Sequence, residues 1–222
     1  MTREDIEAIF AALAAEAGAP TTDVNVKRRR SPFRSLVSCL LSAQSRDANT
    51  RRAADALFAR AATPEAILAL DEAEIAGLIK PCGLYNAKAR HLKRLCRALV
   101  DDHGGVVPTD RAGLMALPGI GRKCADIMLR FVFHEPAIAV DTHVFRVATR
   151  IGLSAGRTAD QVARDLEAVV PARYAMQAHM LLLEHGKRVC RSRVPRCESC
   201  PVAPWCAYVA ASRGTGEAAA GA

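Results

Sequence analysis

The 222 residues carry 31 Lys and Arg against 23 Asp and Glu, a formal charge of +8, and half are apolar while only 5% are aromatic. Ala and Leu dominate the apolar half, which argues for an all-α fold and against a β-sandwich or barrel, whose cores need β-branched and aromatic residues. The basic surplus points to a polyanion, nucleic acid or an anionic membrane surface, and no apolar run approaches the roughly 18 residues of a membrane span.

Met1-Thr2-Arg3-Glu4-Asp5 leads into apolar positions at helical spacing (Ile6, Ile9, Phe10, Leu13) and not into a signal-peptide core, so a cytoplasmic chain is expected. Gly18-Ala19-Pro20 ends this first helix. Lys27-Arg28-Arg29-Arg30 falls in a connector, and Ser31-Pro32 predicts the N-cap and first residue of a helix through Leu41. Further helices are predicted from about Asp47 to Arg60, after Thr63-Pro64, after Asp71, from Ala87 to about Asp102, and from Thr109-Asp110 to Ala116. Pro118-Gly119-Ile120-Gly121 turns the chain into a helix from Arg122 to Phe133. Only Ala137–Val140 has strand character. Helices at 142–151, 158–170 and 173–187 follow, and a small-residue tail from about 211 to 222 has nothing to bury.

Leu117-Pro118-Gly119-Ile120-Gly121-Arg122-Lys123 joins two apolar helices through a turn that aims backbone N–H groups at one point, a nest suited to a phosphate. Glycine at 119 and 121 leaves room for a DNA backbone, and a phosphate held this way carries no sequence information. Lys123 lies in the first turn of the second helix beside Arg122, a setting for a candidate amine nucleophile. Asp141, where an apolar stretch meets the next helix, reads first as an N-cap. Capping and catalysis are compatible, because a cap carboxylate is fixed in place and faces the positive helix end.

Four of the eight cysteines (Cys39, Cys82, Cys96, Cys124) are scattered and read as small packing residues. The others form Cys190-x6-Cys197-x2-Cys200-x5-Cys206, four soft thiolates in one loop. One zinc usually takes two close pairs, whereas here there is one pair with wider arms; chemistry alone favours an iron–sulfur cluster but leaves zinc open. Arg191, Arg193 and Arg196 make the same loop cationic, as counter-charge for the metal site, as phosphate contacts, or both.

Taken in order, Leu40-Leu41-Ser42-Ala43-Gln44, Gly83-Leu84-Tyr85-Asn86, Leu117–Lys123, Val140-Asp141-Thr142-His143 and the four cysteines resemble the endonuclease III family of DNA glycosylases and abasic-site lyases, over residues 3 to about 208. The resemblance implies two helical domains flanking a DNA groove: a six-helix barrel at 25–135 containing the helix-hairpin-helix, and a cluster domain of 1–24 with 136–210, followed by a disordered tail at 211–222. It assigns a [4Fe–4S] cluster to Cys190, Cys197, Cys200 and Cys206. It places Lys123 on the family's Schiff-base lysine, Asp141 on its catalytic aspartate, and Gln44 and Leu84 on side chains that enter the duplex where a base has left. Gly119, Gly121, Arg122, His143, Arg191, Arg193 and Arg196 are the further expected DNA contacts. Arg46, Cys82, Cys124 and Asp126 depart from the pattern and bear on substrate range.

The implied reaction is excision of oxidised pyrimidines from double-stranded DNA through a lysine imine, then β-elimination 3′ to the lesion. The implied protein is a monomer, associated with the nucleoid through DNA. A related class that excises mismatched adenine resembles a longer chain and lacks this lysine. A non-catalytic iron–sulfur DNA-binding module would need neither Lys123 nor Asp141.

Overall fold

The computed structural model describes residues 1–18 and 31–217; the basic run Lys27-Arg28-Arg29-Arg30 lies outside the described residues. Every regular element among them is helical, and no helix is long and apolar enough to cross a membrane. The chain divides into two compact units, Asp23–His134 and Met1–Thr22 with Glu135–Ala222.

Helix α1 (Arg3–Ala17) starts on a reciprocal cap in which Thr2 and Asp5 satisfy each other's backbone amides. In the Asp23–His134 unit, α2 (Pro32–Ser42) starts on the Ser31 side chain, which accepts the Arg34 amide at 3.1 Å, with Pro32 in the first turn. It is followed by α3 (Asp47–Arg60), α4 (Pro64–Ala69), α5 (Glu72–Leu78), α6 (Tyr85–His103), α7 (Arg111–Ala116) and α8 (Arg122–Met128). Thr63, Asp71 and Asp110 cap α4, α5 and α7 with their own side chains. α2 packs on α3, α6 and α8, burying Phe33, Leu36, Val37, Leu40 and Leu41. α6 adds Leu92, Leu95, Cys96 and Leu99, and its end is closed by left-handed Gly104.

The other unit is built around α9 (Thr142–Ile151), which packs on α10 (Ala159–Val169), α11 (Ala178–Arg188) and α12 (Ala207–Glu217), with α1 laid on α11. Its core gathers Phe10, Leu13, Val144, Val147, Ile151, Leu166 and Leu182.

Four features differ from the sequence expectations. The helix predicted to run from Arg122 to Phe133 stays α only to Met128; Leu129–Phe133 widen into a π turn, closed by His134 in a left-handed conformation whose N–H bonds back to Leu129. Ala137–Val140 is buried but forms no strand, and no strand is present among the described residues for it to pair with. The span predicted as one helix at 173–187 is a 3-10 turn at Ala172–Tyr174 and then α11. The tail expected to lack structure from 211 is helical to Glu217, continuing α12, with the Ser212 hydroxyl bonded back to the Tyr208 carbonyl at 3.0 Å.

Candidate active site and cysteine loop

The hairpin between α7 and α8 is rigid at its base. Leu117 and Ile120 are buried, and Gly119 sits at φ +82°, where an L side chain is strained. Gly121 differs: its φ of −93° suits any residue and a Cβ there would meet open space, so the protein interior does not require glycine at this position. Gly121 caps α8 without a side-chain hydrogen bond, leaving the first-turn amides free of any side-chain cap. Lys123 is exposed. The expected DNA contact Arg122 is mostly turned inward, its Nε 3.5 Å from the Asp126 carboxylate, which Arg111 of α7 also holds at 2.8 Å. Fully buried Asp126 therefore clamps the two helices of the hairpin, and its departure from the family pattern adds an internal strut.

Cys124, next to Lys123, lies beside Cys39 of α2. The two thiols act on each other in opposite senses, holding Cys39 below the usual thiol range and pushing Cys124 above it.

Among the described residues three non-glycines are left-handed: Gln44 (φ 50°), Leu84 (φ 58°) and His134 (φ 61°). Gln44 and Leu84 are both exposed, Leu84 to 61%. A Cβ added to Gly83 would lie 3.6 Å from the Gln44 carbonyl, so their loops abut. An exposed leucine held in a strained backbone marks a functional surface more than a packing role. Cys82, the departure just before Gly83, is buried and directs its thiol at the Asn49 carbonyl of α3 (3.8 Å), while Arg46 is exposed at the start of α3.

In the other unit Asp141 caps α9: its Oδ1 accepts the amides of His143 (2.9 Å) and Val144 (2.8 Å). Both bonds fall on one oxygen, and Oδ2 accepts none among the described residues, so the carboxylate keeps an oxygen for chemistry. The His143 side chain is half-buried, its Nδ1 3.2 Å from Arg146, and its Cβ lies against Gly186 where α9 packs on α11.

Cys190, Cys197, Cys200 and Cys206 line one small pocket, together with Arg150, His185, Pro195 and Val202. No three His, Cys, Asp or Glu side chains among the described residues converge closely enough to hold a single metal ion. Burial pushes the Cys200 thiol up to about 11, with the other three thiols adding to the rise, and burial likewise raises Cys197. Four soft thiols around one space form a donor set for a cationic group. Arg191, Arg193 and Arg196 are exposed on the loop that frames it.

Sequence reasoning missed the residues that hold this loop. Arg146 of α9 donates to the carbonyls of Cys190 (2.9 Å) and Gly186 (2.8 Å). Arg150 donates to those of Arg191 (2.7 Å) and Ser192 (2.8 Å) and lies over the Tyr208 ring. His185, buried in α11, links Glu16 (2.8 Å) to the Cys200 sulfur (3.7 Å). Arg146 and Arg150 are four residues apart on α9, the helix that Asp141 caps, so one element positions both the carboxylate and the cysteine loop.

The family model described as HhH-GPD superfamily base excision DNA repair protein matches residues 37–172. Endonuclease III of Escherichia coli (strain K12) is 44% identical over 189 residues, 85% of this chain and 88% of that protein. The chain belongs to the endonuclease III family. The endonuclease III of Treponema pallidum (strain Nichols) is 44% identical over 177 residues, 80% of this chain and 84% of that protein. A solved endonuclease III trapped as a covalent intermediate with DNA matches with a TM-score of 0.83 at 33% identity, covering 96% of this chain and 99% of that one. A thermostable thymine-DNA glycosylase matches at 0.79 and 25% identity, over 94% and 98%. Membership makes this chain a base excision repair enzyme, a DNA glycosylase and lyase.

Proposed function

We propose that this glycosylase and lyase excises oxidised pyrimidines from duplex DNA, with Lys123 as nucleophile and Asp141 as the carboxylate that serves it. Two observations support this reading in a chain similar to an enzyme trapped covalently on DNA: one unit carries an exposed lysine at the mouth of the hairpin, and the other a cap carboxylate that retains one unused oxygen. The reading requires both groups to reach one deoxyribose. The damaged base is extruded from the stack, and Leu84 and Gln44 fill the space it leaves. The Lys123 amine attacks C1′ and the glycosidic bond breaks, while Asp141 takes up the amine proton and offsets the positive charge growing on the sugar. The ring-opened imine acidifies C2′–H; loss of that proton expels the 3′ oxygen as the phosphate end of the downstream strand. Water then hydrolyses the imine and frees the amine.

The hairpin amides and Arg191, Arg193 and Arg196 contact phosphates in this reading, which makes binding salt-dependent and independent of sequence. The donor set fits an iron–sulfur cluster: four soft thiols around one cavity, with arginines from α9 fixing the loop backbone. Cys190, Cys197, Cys200 and Cys206 would hold a [4Fe–4S] cluster, which supplies a cross-link that fixes the arginine-bearing loop. The protein acts as a monomer on double-stranded DNA.

The test is single-turnover reaction with duplexes carrying thymine glycol, uracil or an abasic site, with borohydride added to trap the imine. Trapping and strand cleavage at thymine glycol and the abasic site, with uracil left intact, is the expected result. Base release without trapping, or preference for uracil, overturns the reading.

A further inference from the structure

Beneath the abutting loops of Gln44 and Leu84 lies an ammonium group that the mechanism above does not use. Lys88 is in the first turn of α6 and is only 5% exposed. Its Nζ donates to the Leu41 carbonyl at 2.8 Å, and its backbone N–H donates to the Leu84 carbonyl at 3.0 Å. Among the described residues the ammonium pairs with no carboxylate, and burial pulls its pKa below that of an ordinary lysine. Lys88 is in register with Leu92, Leu95 and Leu99 on the buried face of α6, where an apolar side chain would fill the space without desolvating a charge.

The place where the charge is used explains its retention. Leu41 is in the last turn of α2, where carbonyls have no partner within the helix, and the chain turns from there through Ala43 into left-handed Gln44. The ammonium therefore satisfies the helix end that launches Gln44, while the same residue's amide closes the first turn of the helix that Leu84 opens. Left-handed non-glycine residues persist where the surroundings over-determine them, and Lys88 touches the supports of both.

We propose that Lys88 is a positioning residue that ties the Gln44 and Leu84 loops into one unit, so that both side chains meet the duplex together when a base is extruded. The inference rests on the reading of Gln44 and Leu84 as the groups that enter the stack. Lys88 acts through them and not on the reacting sugar.

The test is the ratio of single-turnover cleavage rates on two substrates: a thymine glycol duplex, which requires extrusion, and a single-stranded abasic oligonucleotide, which has no stack to enter. Lys88→Met lowers this ratio about tenfold, the scale expected when a buried carbonyl loses its donor and its loop loosens. In a Leu84→Ala background the same change lowers it by less than about twofold, because the two residues act as one unit. A ratio within twofold of the unmodified protein, or full additivity with Leu84→Ala, overturns the role of Lys88. If Lys88→Met does not fold, Lys88→Leu, which removes the donor with a smaller apolar side chain, is judged on the same two criteria. Should Leu84→Ala and Gln44→Ala both leave the ratio unchanged, the stack-entry reading fails and this inference falls with it; loss in those variants with none at Lys88 removes this inference alone.

Discussion

Asp141 has two duties in this account, helix cap and catalytic carboxylate, and because both cap hydrogen bonds fall on one oxygen the two can be separated. Oδ1 holds the amides of His143 and Val144, and an asparagine at 141 would present a carbonyl oxygen in the same place. Asn and Asp cap with similar strength, so Asp141→Asn is expected to change stability by less than about 0.5 kcal/mol. Asp141→Ala removes the acceptor for both amides and costs about 1–2 kcal/mol, a fall in Tm of roughly 2–8 °C for a chain of this length. Catalysis divides differently. Both variants lose the charge and the proton acceptor, so both are expected to lose about a hundred- to ten-thousandfold in single-turnover excision. Thermal melting and excision rates measured on the same preparations give the two quantities. If Asp141→Asn retains nearly full activity while Asp141→Ala loses activity in step with Tm, Asp141 is a cap and nothing more.

The two kinds of DNA contact should respond differently to mutation. Arg196→Ala is expected to weaken binding to damaged and undamaged duplex alike and to flatten the slope of log affinity against log salt by about one unit; Leu84→Ala, 61% exposed in the folded protein, should instead lower discrimination for the lesion with little change in Tm. Protein purified anaerobically should contain about four irons per chain and absorb broadly near roughly 400 nm, whereas stoichiometric zinc without iron would rule out the cluster. Alkylation of the native protein near neutral pH should label half-exposed Cys39 well ahead of Cys96, which is fully buried and whose thiol burial pushes up to about 12. Equal labelling of the two would contradict the burial of Cys96.

Helix starts were legible because their causes are local. Ser31, Thr63, Asp71, Asp110 and Asp141 each cap the helix that follows with their own side chains, within three residues of sequence. The π turn at Leu129–Phe133 was not legible, since a widened turn depends on what packs around it and leaves no periodic signature of its own. The buried charges were hidden for another reason. α6 reads as a basic amphipathic helix, and its many surface arginines mask the one lysine in step with Leu92, Leu95 and Leu99. That register was the available signal, as it was for His185 in step with Ala178, Leu181 and Leu182 on α11, and for the four-residue spacing of Arg146 and Arg150. Arg122 shows another influence that a local reading omits. A charge beside the hairpin reads as a DNA contact, yet the carboxylate four residues later in the helix draws it inward.

The central claim is that the Lys123 amine becomes bonded to the sugar. Borohydride reduction during reaction with an abasic duplex, followed by proteolysis and mass mapping of the cross-linked peptide, locates that bond directly. The account predicts a single reduced sugar adduct on Lys123 and no trapped product from Lys123→Gln, whose neutral side chain of similar reach keeps the shape of the site. An adduct on any other amine, or trapping by Lys123→Gln at the yield of the unmodified protein, would contradict it.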